Sequence, residues 1–314
     1  MSPTPAIRSE IGPLELVITS PPGAELDAMV PDNLERFRAG ADGRFLPNPD
    51  YLLFDDLVLT RAIKAEHREL TSCIEAAVGE GGHETFGALL AGALATAGVR
   101  HAVIDDVLDL ERGLYHVADN TLDHARGRLR DLDSTALAEA LIVGRERRRP
   151  ERLLKWPAPN VLFARDLAAV VGDAIVVTHA AEPARRRDMR LMRAVLHHHP
   201  LFAGVDLIDL ANDGPIRPPA SASGTSGAGS GPAAATVEGG DILVIDDGVV
   251  VIGVGVRTTM AAVDRLAPKL FARGVHTIVA CEMPRRRAAM HLDTLFTRID
   301  RDRCLIYPPL VESP

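Results

Sequence analysis

Cysteine is scarce in this chain of 314 residues: Cys73, Cys281 and Cys304 are too few and too scattered for a disulfide framework or a four-thiolate zinc site. A reducing cytoplasm is the compartment this usage points to. There is also no run of about 18 consecutive apolar residues, and the N-terminal MSPTPAIRSEIGPLELVI has no apolar core behind a basic start. Neither a membrane span nor a secretory signal is expected. Positive charge is not in excess: 35 basic residues against 43 acidic ones leave −8, which argues against a nucleic-acid partner and admits a small cationic ligand.

A hydrophobic content of 46% suffices for a sizeable core. Short apolar runs broken by turns open the chain, with strands expected in LELVITSPPGAEL, broken at Pro21-Pro22-Gly23, and in YLLFDDLVL. A helix is expected over RAIKAEHRELTSCIEAAV. From Phe86 to Arg149 Ala- and Leu-rich periodic segments read as a block of several short helices. Strands return in VLFARDLAAVVGDAIVVTHA, one on each side of Gly172-Asp173, and RRRDMRLMRAVLHHHP reads as a helix stopped by Pro200. Residues 215–236, centred on SASGTSGAGSGPAAA, form a low-complexity loop, and no lysine follows to make it a phosphate-binding loop. GGDILVIDDGVVVIGVGVRTT is a hairpin turning at Asp247-Gly248; a helix over about Thr259–Ala272 and a strand in VHTIVACEM follow. The strand, strand, helix, strand order predicts an α/β fold of repeated ββαβ units.

Four groups of residues interrupt these otherwise apolar strands. They are Asn160, Phe163, Arg165 and Asp166 in PNVLFARD, Glu238 and Asp241 in VEGGD, Arg257 in VGVRTT, and His291 with Asp293 in MHLDTLFT. The last run reads as a buried strand, whose period of two puts His291 and Asp293 on one face. Burying either charge unpaired would cost several kcal/mol, so a partner is required. Each group alone has an ordinary reading: an Arg-Asp neighbour pair is commonly a structural ion pair, and a core histidine is commonly bonded to a carboxylate. Together, acidic residues at strand ends (Asp166, Glu238, Asp293), one histidine and two arginines (Arg185, Arg257) suit a ligand cationic at one end and anionic at the other. A free amino acid with a guanidinium side chain is such a ligand, since a carboxylate takes two guanidinium N–H groups and an arginine takes an α-carboxylate.

These motifs resemble those of bacterial arginine deiminases, of the guanidino-group-modifying or pentein superfamily. The resemblance runs from EIGPLELVI through LFDDLVL and Glu66-His67 to PNVLFARD, PARRRD, HHP, VEGGD, RTT and MHLDTLFT. It implies a pentein α/β-propeller of five ββαβ modules with a helical domain inserted. About four modules would be present here: residues 1–84 as the first part, 85–149 as the inserted helical domain, and 150–314 as the second part. It also implies hydrolysis of L-arginine to citrulline and ammonia without metal or cofactor. By position, Asp166 and Asp293 would clamp the guanidinium, His291 would be the general acid/base and Glu238 the carboxylate beside it. Arg185 and Arg257 would hold the substrate carboxylate, with Asn160 and Phe163 lining the pocket. The family attacks the guanidinium carbon with a cysteine thiolate while the histidine protonates departing ammonia.

The sequence departs from that pattern in one main respect. The family's nucleophilic cysteine lies in a late Gly- and Arg-containing loop, and YPPLVESP ends this text just past the MHLDT module. Cys281, Cys73 and Cys304 are expected to be inert thiols, so no nucleophile is assigned and the chain alone is expected to be inactive. A fragment, a split enzyme whose last module is a separate chain, or a non-catalytic guanidine-binding relative are the alternatives; the expected partners are L-arginine and either further copies of the chain or a separate chain carrying the last module. An amidinotransferase or methylated-arginine hydrolase fits less well, because the helical insertion points to the deiminase branch. Gly255-Val256 stands where the family has Ser-Glu, Ser20-Pro21-Pro22-Gly23 where it has His-Arg-Pro-Gly, and Asp188 where it has glutamate. His197, His198 and His199 are not expected to converge on a metal, since adjacent helical residues point about 100° apart. The arginine runs at 145–152 and 284–287 read as solvated faces.

Overall fold

A computed structural model of the chain describes residues 6–40, 43–147, 149–213 and 235–311. These fall into two compact units: a mainly helical one from residues 14–164 and 183–203, and one built on sheets from the described residues of 1–13, 165–182 and 204–314. The glycine-rich loop predicted over 215–236 lies outside the described residues except for Ala235 and Thr236, both buried.

In the helical unit, β1 (Val17–Thr19) ends before Pro21-Pro22-Gly23 and a single turn, α1 (Ala24–Asp27), follows. A small hairpin of β2 (Phe37–Ala39) and β3 (Phe45–Pro47) precedes α2 (Thr60–Val78), after which β4 (His83–Thr85) lies parallel to β1. The predicted helical block contains α3 (Phe86–Ala93), α4 (Ala97–Tyr115), α5 (Asp119–Arg130) and α6 (Ser134–Val143). The later helix α7 (Arg186–His198) packs on α3 and α4, and Pro200 follows its end. Apolar stripes meet here: Leu90, Ile104, Leu108, Leu129 and Leu141 are all wholly buried, each contributing about 2 kcal/mol.

One pair of opposite charges is buried in this unit's helical packing. Arg187 of α7 donates to Glu111 of α4 at 3.2 Å, and Glu111 also accepts the Lys155 N–H at 2.7 Å. Asp133 caps α6 by accepting the Ala136 N–H at 2.8 Å. Asp133→Ala is expected to cost about 1 kcal/mol and to lower the thermal midpoint by about 2–4 °C, measured by circular dichroism.

YLLFDDLVL is not a strand, contrary to expectation. Leu53 has φ +66°, which breaks the two-residue period, although Leu52 and Phe54 remain buried. The backbone groups a sheet would have paired are met otherwise: the Leu52 N–H donates to the Asn33 carbonyl at 2.9 Å, and its carbonyl accepts Asn160 Nδ2 at 2.9 Å.

In the sheet unit, β5 (Ala168–Val171) and β6 (Ala174–Val177) are antiparallel about Gly172-Asp173, with β7 (Asp206–Asp209) parallel to β6. The next sheet has β8 (Ile242–Asp246) and β9 (Val249–Val254) as the predicted hairpin, then α8 (Met260–Phe271) and β10 (Thr277–Glu282), parallel to β9. Gly248 makes the hairpin turn with φ +74°, where a side chain would also strike His276 and the Gly274 carbonyl. Ala262, Leu266 and Leu270 of α8 are fully buried in one cluster with Val244, Val250 and Ile252 of the hairpin. Last come β11 (Phe296–Arg298) and β12 (Cys304–Ile306), antiparallel. The strand, strand, helix, strand order thus occurs twice, as β5, β6, α7, β7 and as β8, β9, α8, β10, and the class is α/β. Among the described residues no single helix is long and apolar enough to cross a membrane.

Candidate active site

MHLDTLFT corrects a second strand expectation. Residues Leu292–Thr294 form a 3-10 turn, and only Phe296–Arg298 is strand. The turn is closed by the Thr294 N–H on the His291 carbonyl at 3.2 Å and by the Thr294 hydroxyl on the same oxygen at 2.6 Å. A tight bend, not a pleat, is what aims His291 and Asp293 into one space. Tight turns also present the other carboxylates: Glu238 precedes the turn Gly239–Asp241 that feeds β8, and Asp166 lies two residues ahead of β5.

Glycine makes their meeting possible. A Cβ on Gly240 would stand 2.7 Å from Asp166 Oδ1, 3.0 Å from Asp293 Oδ2 and 3.0 Å from His291 Cγ. Three functional side chains therefore close around a bare stretch of backbone. The partner that the sequence demanded for His291 is double: Nε2 meets Glu238 Oε2 at 2.9 Å and Nδ1 meets Asp166 Oδ1 at 3.4 Å. His291 is 4% exposed and Glu238 is wholly buried. Arg257, also buried, lies 3.4 Å from Glu238 Oε1 and 3.9 Å from Met290 Sδ.

Burial pulls the His291 pKa down, but the Glu238 hydrogen bond and the charges of Asp166, Glu238 and Asp241 outweigh it, and the value is raised. Burial likewise raises Asp293; the His291 and Arg165 charges oppose that rise, while Asp166 and Glu10 add to it. Asp241 is pushed up to about 7, mainly by burial, with Glu238 adding and His291, Thr258 and the Leu292 N–H opposing.

The sign of the resulting pH dependence is the same for all three. A histidine raised on folding stabilises fully below its ordinary value of about 6.5 and loses that contribution as pH rises through the folded value. An acid raised on folding penalises the folded state once the unfolded group has ionised, and the penalty is complete above the folded pKa. Thermal stability is therefore expected to fall as pH rises from about 4 to about 7, the span between the ordinary and folded values of Asp241, and His291 adds to the fall above about 6.5. Asp241→Asn, which removes the titrating acid, should flatten that slope in a scanning-calorimetry series.

Asp166, Glu238 and His291 each place one ligand atom within 4.8 Å of the others, a spacing a divalent cation could use. With its pKa raised and a carboxylate at each nitrogen, the ring favours two protons. A metal would have to displace one of them and lie close to Arg257, so the donor set fits an imidazolium better.

The remaining predicted residues belong to the helical unit and cluster there. Arg185 is buried and donates to the carbonyls of Asn160 at 3.1 Å and Phe163 at 3.3 Å, with Asp188 Oδ2 3.9 Å from its Nε. The half-exposed Phe163 ring lies 6.1 Å from that of Phe54. Asp241 stands out in VEGGD as a polar interruption but carries no role in the sequence, because its backbone partner is distant, and Gly240 beside it carries no mark of the room it leaves for others.

A model of the arginine deiminase family matches residues 114–313. Arginine deiminase of Listeria welshimeri is 30% identical over 327 residues, 97% of this chain and 69% of that protein. Arginine deiminase of Bacillus cereus strain B4264 is 29% identical over 323 residues with the same coverage. Among solved structures, dimethylarginine dimethylaminohydrolase from Pseudomonas aeruginosa, complexed with citrulline, superposes with a TM-score of 0.33 at 18% identity over 50% of each chain. An amidinotransferase from Microseira wollei gives 0.33 at 16% identity, over 45% of this chain and 40% of that one. The matched parts span half or less of those solved chains, and likenesses so partial carry no weight.

Proposed function

The chain belongs to the arginine deiminase family, and from that premise we propose that it holds the substrate-clamping and proton-transfer part of an enzyme converting L-arginine to citrulline and ammonia. The observation that carries this reading is the convergence of Asp166, His291 and Asp293 around Gly240. Asp166 and Asp293 each accept a pair of guanidinium N–H groups and hold the plane of the cation fixed. Arg257, buried beside Glu238, takes the substrate carboxylate.

A guanidinium carbon is a poor electrophile because three nitrogens share its charge. A cysteine thiolate attacks that carbon, and the C–N bond breaks as His291 gives its proton to the leaving nitrogen, which departs as ammonia. His291, now neutral, takes a proton from water; the hydroxide adds to the S-linked carbon, the C–S bond breaks as the added hydroxyl gives its remaining proton to solvent, and citrulline and thiolate are released. Glu238 and Asp166 keep the imidazole oriented and stabilise its charged form before the first proton transfer and after the second. The thiol comes from a segment beyond those at this site. The same membership supports reading the two ββαβ repeats as modules of a five-module pentein propeller, with 85–149 as the inserted domain.

A second reading, a guanidine-binding relative without chemistry, is favoured by the surroundings of the cysteines. Cys281 packs among Leu243, Met283 and Leu292, while Cys73 and Cys304 are exposed on α2 and β12. Calorimetry with L-arginine, and a citrulline assay after adding a Cys-bearing C-terminal segment from a relative, separate the two. Binding with product supports the enzyme and binding without product the relative; neither binding nor product rejects both.

A further inference from the structure

Asp241 is wholly buried and is not needed as a substrate contact in the reaction above. Its Oδ1 accepts the Leu292 N–H at 2.9 Å, the amide that joins His291 to the turn carrying Asp293. Room for this contact is made by Gly253 of β9, where a Cβ would stand 2.7 Å from Asp241 Oδ1 and 2.9 Å from Leu292 Cβ. Four residues of chain thus touch the histidine segment twice. Glu238 Oε2 holds the His291 ring at 2.9 Å, and Asp241 holds the backbone just beyond it at 2.9 Å.

Burying a carboxyl for one backbone N–H and the Thr258 hydroxyl is costly, and an apolar side chain would fill the space more cheaply. The contact fixes the place of a peptide, which shape-filling alone would not do. The groups facing Asp241 are His291, Glu238, the Thr258 hydroxyl and the Leu292 N–H.

We infer that Asp241 is a positioning residue of the site, whose hold on the Leu292 N–H sets the His291 imidazole and the Asp293 carboxylate at their working places together. This rests on the reading of the site as a guanidinium clamp. Without the hold, the turn Leu292–Thr294 relaxes, the ring leaves Glu238, and Asp293 leaves the cation. A neutral acceptor of the same shape does the same work, so the role is geometric.

The test uses the full chain, with Asp241→Ala, which removes the acceptor, and Asp241→Asn, which keeps it. Two readouts apply: calorimetric affinity for L-arginine, and the NMR signal of the His291 Nε2 proton held by Glu238. In a folded Asp241→Ala protein, affinity is expected to fall about tenfold or more, the size of one lost buried hydrogen bond, and the proton signal to be lost or shifted. Asp241→Asn should restore the signal and bring affinity to within about threefold of the parent. Parent-like affinity and an unmoved proton in Asp241→Ala would overturn the inference. If the parent protein binds no arginine, the clamp reading fails and the proton signal alone decides the role of Asp241. If Asp241→Ala does not fold, Asp241→Asn decides: loss of the signal in a folded Asn protein rejects the geometric role, and its retention supports it.

Discussion

Asp166→Ala is expected to bind L-arginine about two to three orders of magnitude more weakly than the parent chain, measured by isothermal calorimetry. Two losses combine in this one residue. The guanidinium gives up a charge-assisted, two-point hydrogen bond, of the kind that contributes about 1.5–3 kcal/mol. His291 also loses the carboxylate 3.4 Å from its Nδ1, which leaves a buried cationic ring with Glu238 as its remaining carboxylate partner. Removing one member of a buried charge pair costs about 3–5 kcal/mol, much of it the penalty on the group left behind. The sum is not additive, because both losses share one carboxylate, and about 3–4 kcal/mol in total corresponds to the stated range. Asp166→Asn keeps an oxygen beside the ring and should fall between the two. A loss below about tenfold in the Ala variant would show that the cation is held elsewhere.

Adjacent glycines are expected to fail in different ways. Gly240→Ala puts a methyl group within 2.7–3.0 Å of Asp166, His291 and Asp293, all of them side-chain atoms. Side chains yield by rotating, so the fold should survive with the three groups spread apart and arginine binding below detection. Gly239→Ala puts its methyl 2.2 Å from the Arg165 carbonyl oxygen and 2.8 Å from that of Ala168. Backbone does not yield in this way, and about 3 kcal/mol or more of stability should be lost, near or above the upper end for overpacked cores. Chemical denaturation of both variants beside arginine calorimetry gives the contrast. If Gly240→Ala is the less stable protein, the site is tighter as packing than as chemistry.

The sequence was legible where pattern and local chemistry agree. The α8 stripe Ala262, Leu266, Leu270 and the Asp247-Gly248 hairpin came through with little error, because burial and turn preference both act on neighbouring residues. The four polar interruptions were also visible, since a charge in an apolar run is costly and needs a reason. Two apolar runs misled. In YLLFDDLVL a left-handed Leu53, the Asn33 carbonyl and the Asn160 side chain replace the sheet ladder, and nothing local announces them. In MHLDTLFT a hydroxyl three residues on, Thr294, closes a turn that alternation of apolar residues cannot distinguish from a strand. Asp241 shows a further limit. Its acid looks like a strand-end charge until the Leu292 amide, 51 residues away, is placed against it.

Asp166 and Asp293 lie side by side around Gly240, and burial raises the Asp293 pKa with the like charge of Asp166 adding to the rise. An incoming guanidinium relieves that repulsion, whereas a urea, which bears no charge, does not. On the proposed reading, the uncharged product should consequently leave these carboxylates more readily than its cationic precursor does.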